Sequence, residues 1–333
     1  MPKIAAVSLM IDYEYIGDKR LLKSCKNNNS EALIIFVKNR AKQRIKEIIK
    51  NIEWAQKNKA DILVFPGWTV AEPNDLVTVA KHVNKNIHVL IELMNGANEF
   101  RNKENVNKNR YSSENFMNDS AIFILNNHEV EFGPIFQTFA IGPEVYEYPD
   151  VLENGVLRQL KSELQNTVFW DNRDADDFRG AGQGRWLDLG NKGRYLILIC
   201  GETNLMNDKS YNWHKASKDL NFHNIDYKSA TAILNPAHTP SSKYMDEKRK
   251  IWSKLTKVPL IHCANINKQL RNSKDEVKIN AAFDGTQICI NGDIFKLLKY
   301  KNQDDTLLKE FSCKNKKIYV SNSDVYQRAL IDL

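Results

Sequence analysis

Apolar residues along this chain fall in short runs separated by polar, glycine- or proline-bearing stretches, a pattern of buried strands interrupted by a few helices. The opening "KIAAVSLM" at 3–10 reads as a buried strand. After the polar stretch "CKNNNSEA", Ile45, Ile48, Ile49, Ile52 and Ala55 recur at helical spacing. "ADILVFPG" at 60–67 is a second strand closed by its Pro-Gly pair, and "IHVLIEL" at 87–93 supplies its neighbour. Strand, helix, strand in this order implies a right-handed crossover.

The stretch 98–115, "NEFRNKENVNKNRYSSEN", is nearly free of apolar residues and predicts an exposed loop, a lid or a disordered segment. "DSAIFIL" and "EVEFGPIFQTF" flank a polar "NNHE" turn as a hairpin would, and a mixed helix and loop region is expected from there to Gly184. "RGAGQGRW" lacks the Gly-Lys-Ser/Thr of a phosphate loop and reads as a flexible loop. Beyond it come a strand, a Gly-Asn-Lys-Gly turn and a strand in "RWLDLGNKGRYLILICGE". "SATAILNPAHTPSS" is a strand with a proline-rich exit, "MDEKRKIWSKL" a helix, and "VPLIHCANI" a strand. "INAAFDGTQICINGDIF" is a hairpin around Asn291-Gly292. The sum predicts an α/β protein with two sheets packed face to face and helices outside.

Composition narrows the function classes. The 333 residues have 42% hydrophobic and 27% charged content, ordinary for a globular domain, and no run approaches the length of a membrane span. The opening residues carry no basic leader, so a soluble cytoplasmic protein is expected. The formal charge of +7 comes from lysines scattered among asparagines, which reads as solvated surface and not as a nucleic-acid site. The five cysteines, at 25, 200, 263, 289 and 313, never form a C-x-x-C pair. Neither a disulfide framework nor a zinc site is expected, and a reducing compartment fits.

Candidate chemistry centres on "RYLILICGET", where an apolar run ends in Cys200 followed by Gly201 and Glu202. A thiol is a nucleophile only as the thiolate and needs a nearby base and some exposure. Gly201 is small enough to let backbone N–H groups approach a reacting carbonyl oxygen. By itself such a cysteine reads first as a small buried hydrophobe. Cys263 and Cys289 lie inside strand-like runs and read as core, whereas Cys25 sits in a polar loop.

Five ordered blocks, "ADILVFPG", "GRYLILICGE", "ATAILNPAHTP", "VPLIHCANIN" and "FDGTQICINGD", together resemble the carbon-nitrogen hydrolase, or nitrilase-like, superfamily over about 3–300. The resemblance implies a four-layer α-β-β-α sandwich, a single domain over 1–333 whose final segment 301–333 extends the sheet or a dimer contact, and assembly into a homodimer or larger homo-oligomer. It implies hydrolysis of small amides or nitriles without metal or cofactor. It also implies three catalytic residues: a glutamate base after the Phe-Pro of the second strand, a lysine for the oxyanion, and a cysteine that forms a thioester. Only Cys200 stands in place; Gly67 occupies the glutamate position and Gln137 the lysine position.

Three readings follow from that departure. The chain is a degenerate homologue that binds without cutting, as a regulatory module; or its base has moved; or a histidine has replaced it. For the second, Glu92 stands where the family's neighbouring strand ends in a small residue, as though glycine and glutamate had been exchanged. Adjacent strands lie about 4.8 Å apart, which a glutamate side chain spans. Glu92 would then be the base, buried beside the thiol and away from cations, with the Gln137 amide and the Gly201 N–H as oxyanion donors. Glu144 is a second candidate acid, because the resemblance implies a pocket glutamate there. Glu202 is expected to orient the loop around the cysteine at the edge of the substrate site. For the third reading, His238 in "NPAHTP" is better placed than His262 in "LIHCAN" to pair with Cys200, with substrate contact as its expected role.

Overall fold

The computed structural model describes residues 2–11, 31–94, 120–135, 185–205, 226–238, 243–270, 285–296, 316–322 and 326–333. It also describes shorter pieces at 137, 139–140, 143–144, 151–153, 156–158, 165–166, 169–170, 277–279 and 311–313. Two mixed sheets and three α-helices organise them. The elements that build the first sheet are β1 (Lys3–Ile11), β2 (Ile62–Val64), β3 (His88–Leu93), β4 (Ala121–Asn126) and β5 (Glu129–Ile135). The second sheet runs through β6 (Trp186–Asp188), β7 (Arg194–Ile197), β8 (Ala232–Ala237), β9 (Leu260–Ala264), β10 (Thr286–Ile290) and β11 (Asp293–Lys296). C-terminal strands β12 (Phe311–Cys313), β13 (Lys316–Asn322) and β14 (Tyr326–Asp332) return to the first sheet, whose order is β12-β13-β14-β1-β2-β3-β4-β5. A strand at Ile266–Leu270 pairs with the end of β1 and with Val277–Ile279.

Both sheets are parallel at their centres and antiparallel at their flanks. In the first, β1, β2 and β3 run parallel, with antiparallel β14 on one side and β4 on the other. In the second, β7, β8 and β9 run parallel between antiparallel β6 and β10. Helix α1 (Glu31–Lys57) connects β1 to β2, α2 (Pro73–Ala80) precedes β3, and α3 (Lys243–Thr256) connects β8 to β9.

The period of two along each strand explains why the central runs are apolar throughout. Ala5, Val7, Leu63, Val89 and Ile91 pack with Ile48, Ile52 and Leu76 of α1 and α2. Their neighbours in sequence, Ile4, Ala6, Ile62, Val64 and Leu90, point the other way, to Tyr195, Ile197, Leu234, Ile261 and Ile288 of the second sheet. The second sheet divides its residues likewise: Leu196, Ile233, Leu260 and Cys289 turn to Ile251 and Trp252 of α3. Each fully buried aliphatic side chain contributes about 1.5–3 kcal/mol over its exposed state, and both faces of the central strands contribute.

The expected strands and hairpins are present with adjusted ends. Asn127 and His128 (φ 48° and 68°) turn β4 into β5, and Asn291 and Gly292 (φ 51° and 89°) turn β10 into β11, as left-handed two-residue turns require. Two differences stand out. Helix α2 has no counterpart in the sequence reading, because its buried Leu76, Val79 and Ala80 span only about one helical turn of periodic signal. The region expected to mix helix and loop up to Gly184 has, among its described residues, short strand pairs such as Phe139–Ala140 with Phe169–Trp170. Ladders of two or three residues are too short to impose alternation on a sequence. The stretches 98–115 and 179–184, and Cys25, lie outside the described residues.

Candidate active site

Parallel strands deliver their C-terminal ends to one edge of a sheet, and here two sheets deliver theirs to the same place. Gly67 follows β2, Glu92 ends β3, Cys200 follows β7 and His238 follows β8. The Gly67 N–H donates to the Ala237 carbonyl across the sheets at 2.8 Å. Asn265, just after β9, adds a clamp: its Nδ2 donates to the carbonyls of Gly67 at 2.6 Å and His238 at 3.2 Å.

Glu92 lies on the same strand face as Leu90, the one turned to the second sheet, and its side chain is 1% exposed. His238 Nε2 stands 2.9 Å from each of its carboxylate oxygens. The Trp68 N–H donates to Oε2 at 2.9 Å. His238, 4% exposed, also faces Cys200, whose charge favours the protonated imidazole. Burial opposes the charged imidazole, but Glu92 and then Cys200 outweigh it, so His238 is held well above the ordinary histidine value of 6.5. Cys200, Glu92 and His238, which sequence reasoning divides between competing mechanisms, come together here, with His238 paired to Glu92 and facing Cys200. The premise that Glu92 stands away from any cation does not hold, because an imidazolium sits against it.

Gly67 is the condition for this arrangement. A Cβ there would come within 2.3 Å of His238 Cδ2, 2.7 Å of Glu92 Oε2 and 2.9 Å of the Ala237 carbonyl carbon. A glutamate at 67 and the Glu92–His238 pair therefore exclude each other in this backbone. Gly67→Ala is expected to displace the pair and to cost about 1–3 kcal/mol of stability through overpacking, which urea unfolding measures.

Cys200 opens a 3-10 turn over Cys200–Leu205 with φ of 43°, a left-handed conformation costly for a residue with a Cβ, and it is half-buried. Its surroundings over-determine that geometry. Asn235 Nδ2 donates to the Leu198 carbonyl at 2.6 Å and to the Cys200 carbonyl at 3.2 Å. The Thr203 hydroxyl donates to the same Cys200 carbonyl at 3.3 Å, and the Trp252 indole of α3 donates to the Thr203 carbonyl at 2.6 Å. Glu202 is fully buried: its Oε2 accepts from the Ile199 N–H at 2.7 Å and from Arg185 Nη1 at 3.1 Å, and its Oε1 from Arg185 Nη2 at 3.0 Å. That carboxylate holds the loop, with both oxygens engaged by the protein.

Gly201 is buried directly after the cysteine. Gln137 is also buried, two residues before the Phe139–Ala140 strand that packs against the Cys200–Leu205 turn. Glu144 pairs by its backbone with Gln165; its side chain lies outside the described residues. His262 belongs to a different network: its Nδ1 is 2.7 Å from Asn235 Oδ1, and burial, then the Arg249 charge, hold it well below the ordinary histidine value. Cys263 and Cys289 are fully buried, and burial pushes the Cys263 thiol up to about 12. Arg185, Asn235, Asn265 and Trp68 escaped the sequence reading. Each acts through a partner 17 or more positions away, and no local spacing announces that.

Among the described residues no group of three or more His, Cys, Asp or Glu side chains is arranged to hold a metal ion, and no helix is long and apolar enough to cross a membrane. No protein-family profile matches the chain, and no curated protein matches it by sequence. Solved structures are similar to it in three dimensions. The glutamine-dependent NAD(+) synthetase from Cytophaga hutchinsonii aligns at 12% identity and a TM-score of 0.43, over 89% of this chain and 40% of that one. The glutamine-dependent NAD+ synthetase from Acinetobacter baumannii aligns at 13% and 0.45, over 88% and 42%. A mutant of the amidase from Nesterenkonia sp. AN1, with the acetamide moiety of fluoroacetamide added covalently at its active site cysteine, aligns at 10% and 0.46, over 100% and 90%. That amidase is of the nitrilase superfamily. This chain spans about two fifths of the length of either synthetase.

Proposed function

We propose that this protein is a carbon-nitrogen hydrolase of nitrilase type that acts on a small amide through a thioester on Cys200, with His238 as the proton carrier and Glu92 behind it. The observation that carries the reading is the Glu92–His238 ion pair, with His238 facing Cys200. A nucleophile bonded to a base that is itself oriented by a third group is the recurring arrangement of covalent acyl transfer. On this reading the two sheets with helices outside are the α-β-β-α sandwich, and the protein works without metal or cofactor and as a homodimer or larger homo-oligomer.

The steps follow from the groups present. The Cys200 sulfur attacks the carbonyl carbon while His238 holds the thiol proton as an imidazolium, stabilised by the Glu92 carboxylate. The tetrahedral oxyanion takes the Gly201 N–H and the Gln137 amide as donors. His238 then gives its proton to the departing amine, the C–N bond breaks and the acyl group stays on sulfur. Water, deprotonated by the now neutral imidazole, attacks the thioester and releases the acid and the thiol. Replacing a lysine by the neutral Gln137 weakens oxyanion stabilisation by about 1–2 kcal/mol, or roughly tenfold in rate, a loss that leaves catalysis in place.

The test is selective labelling. Chloroacetamide is expected to alkylate Cys200 faster than the other four cysteines, read peptide by peptide in a mass spectrometer. Equal labelling of all five, with no turnover of formamide, acetamide or propionamide, would leave the binding-module reading in its place.

A further inference from the structure

Trp68 follows the glycine that makes room for the charged pair, and it adopts a left-handed backbone conformation with φ of 53°. Non-glycine residues seldom take that conformation without something holding them there. Two contacts do so. Its N–H donates to Glu92 Oε2 at 2.9 Å, and its ring stacks on the His238 imidazole with centroids 4.3 Å apart and planes 19° from parallel. The pair beneath is almost fully buried, while Trp68 itself is only half-buried. The tryptophan therefore forms a solvent-side cover over a buried imidazole and carboxylate, touching one with its ring and the other with its backbone.

We propose that Trp68 is a positioning residue for His238: the face of the indole stabilises the imidazolium and fixes the ring plane between Glu92 and Cys200, so that aromatic stacking is part of what sets the charge state of the base. The proposal rests on the reading of His238 as proton carrier. An indole face attracts a cation lying over it, and most strongly where water is excluded. The titratable groups that face His238 are Glu92, from β3, and Cys200, from the turn after β7; both favour the protonated ring. The indole adds to them without carrying charge, so its removal leaves both of these partners of His238 in the sequence, and the N–H that bonds Glu92 belongs to the backbone and is present in Trp68→Phe and Trp68→Leu alike.

The experiment follows the His238 ring carbons by NMR through a pH titration in wild type, Trp68→Phe and Trp68→Leu, with a His238→Gln sample to assign the signals. Leucine fills much of the same space without an aromatic face, and phenylalanine retains one. In wild type the ring should stay protonated well above pH 6.5. Trp68→Leu is expected to lower the midpoint by about half to one pH unit, the size of a partly desolvated cation–π contact, and Trp68→Phe to restore most of it. The rate of Cys200 labelling at neutral pH should fall in Trp68→Leu and recover in Trp68→Phe. A wild-type midpoint at or below 6.5 would overturn the charged pair and the proposed function with it. A high wild-type midpoint that Trp68→Leu leaves unchanged, or that Trp68→Leu and Trp68→Phe lower equally, would overturn only the role given to the indole.

Discussion

His238→Gln is expected to slow acylation of Cys200 by p-nitrophenyl acetate by about a hundredfold or more, with the fold intact. A positioned general base is worth roughly 10²–10⁴ in rate, and here the imidazole is the base that faces the sulfur. Glutamine is chosen because its amide still offers a donor to Glu92, a carboxylate buried to 1% exposure that needs one. His238→Ala would strip that donor as well. Leaving a buried charge unmatched costs about 3–5 kcal/mol, so alanine would confuse lost chemistry with lost folding. The burst of nitrophenolate in stopped flow, compared with the far-ultraviolet circular dichroism of both variants, separates the two effects. A His238→Gln variant that acylates as fast as wild type would remove the imidazole from the mechanism.

The second large effect is one of stability. Arg185 and Glu202 are both fully buried and joined by two hydrogen bonds at 3.1 and 3.0 Å, with the Ile199 N–H on the same carboxylate. Desolvating two charges offsets most of their mutual attraction, so the intact pair adds little net stability; breaking it is another matter. Arg185→Met leaves Glu202 buried without its guanidinium and is expected to lower the unfolding free energy by about 3–5 kcal/mol, measured by urea denaturation. The double variant with Glu202→Gln, which removes the stranded charge, should recover part of that loss. Because Glu202 shapes the turn that begins at Cys200, Arg185→Met should also slow Cys200 acylation. If Arg185→Met left both stability and acylation unchanged, the pair would not be what holds the nucleophile's loop.

Much of this site could be read before the fold was known, and the remainder could not, for a definable reason. The period of two in "IHVLIEL" puts Glu92 on the face opposite to Val89 and Ile91, and Gly67 opens the space beside it. Those are local facts. The bond between Glu92 and His238 spans 146 positions and joins strand ends of different sheets, so nothing in either neighbourhood shows it. Reading the two residues separately led to a choice between a carboxylate base and an imidazole base. In space they are a bonded pair, and under the proposed function the two bases act together. Arg185 was hidden differently. It ends a glycine-rich stretch that reads as loop, and burial of a lone arginine there follows only from the position of Glu202 after the β7 strand.

The central claim is that Cys200, His238 and Glu92 act as one unit. Its most direct test is the rate of Cys200 acylation by p-nitrophenyl acetate in Glu92→Gln, in His238→Gln and in the double variant. Groups that work through one another lose their effect together. The double variant should then be no slower than His238→Gln alone, and Glu92→Gln should have no effect once the imidazole is gone. Losses that multiply in the double variant would show two independent contributions and contradict the relay.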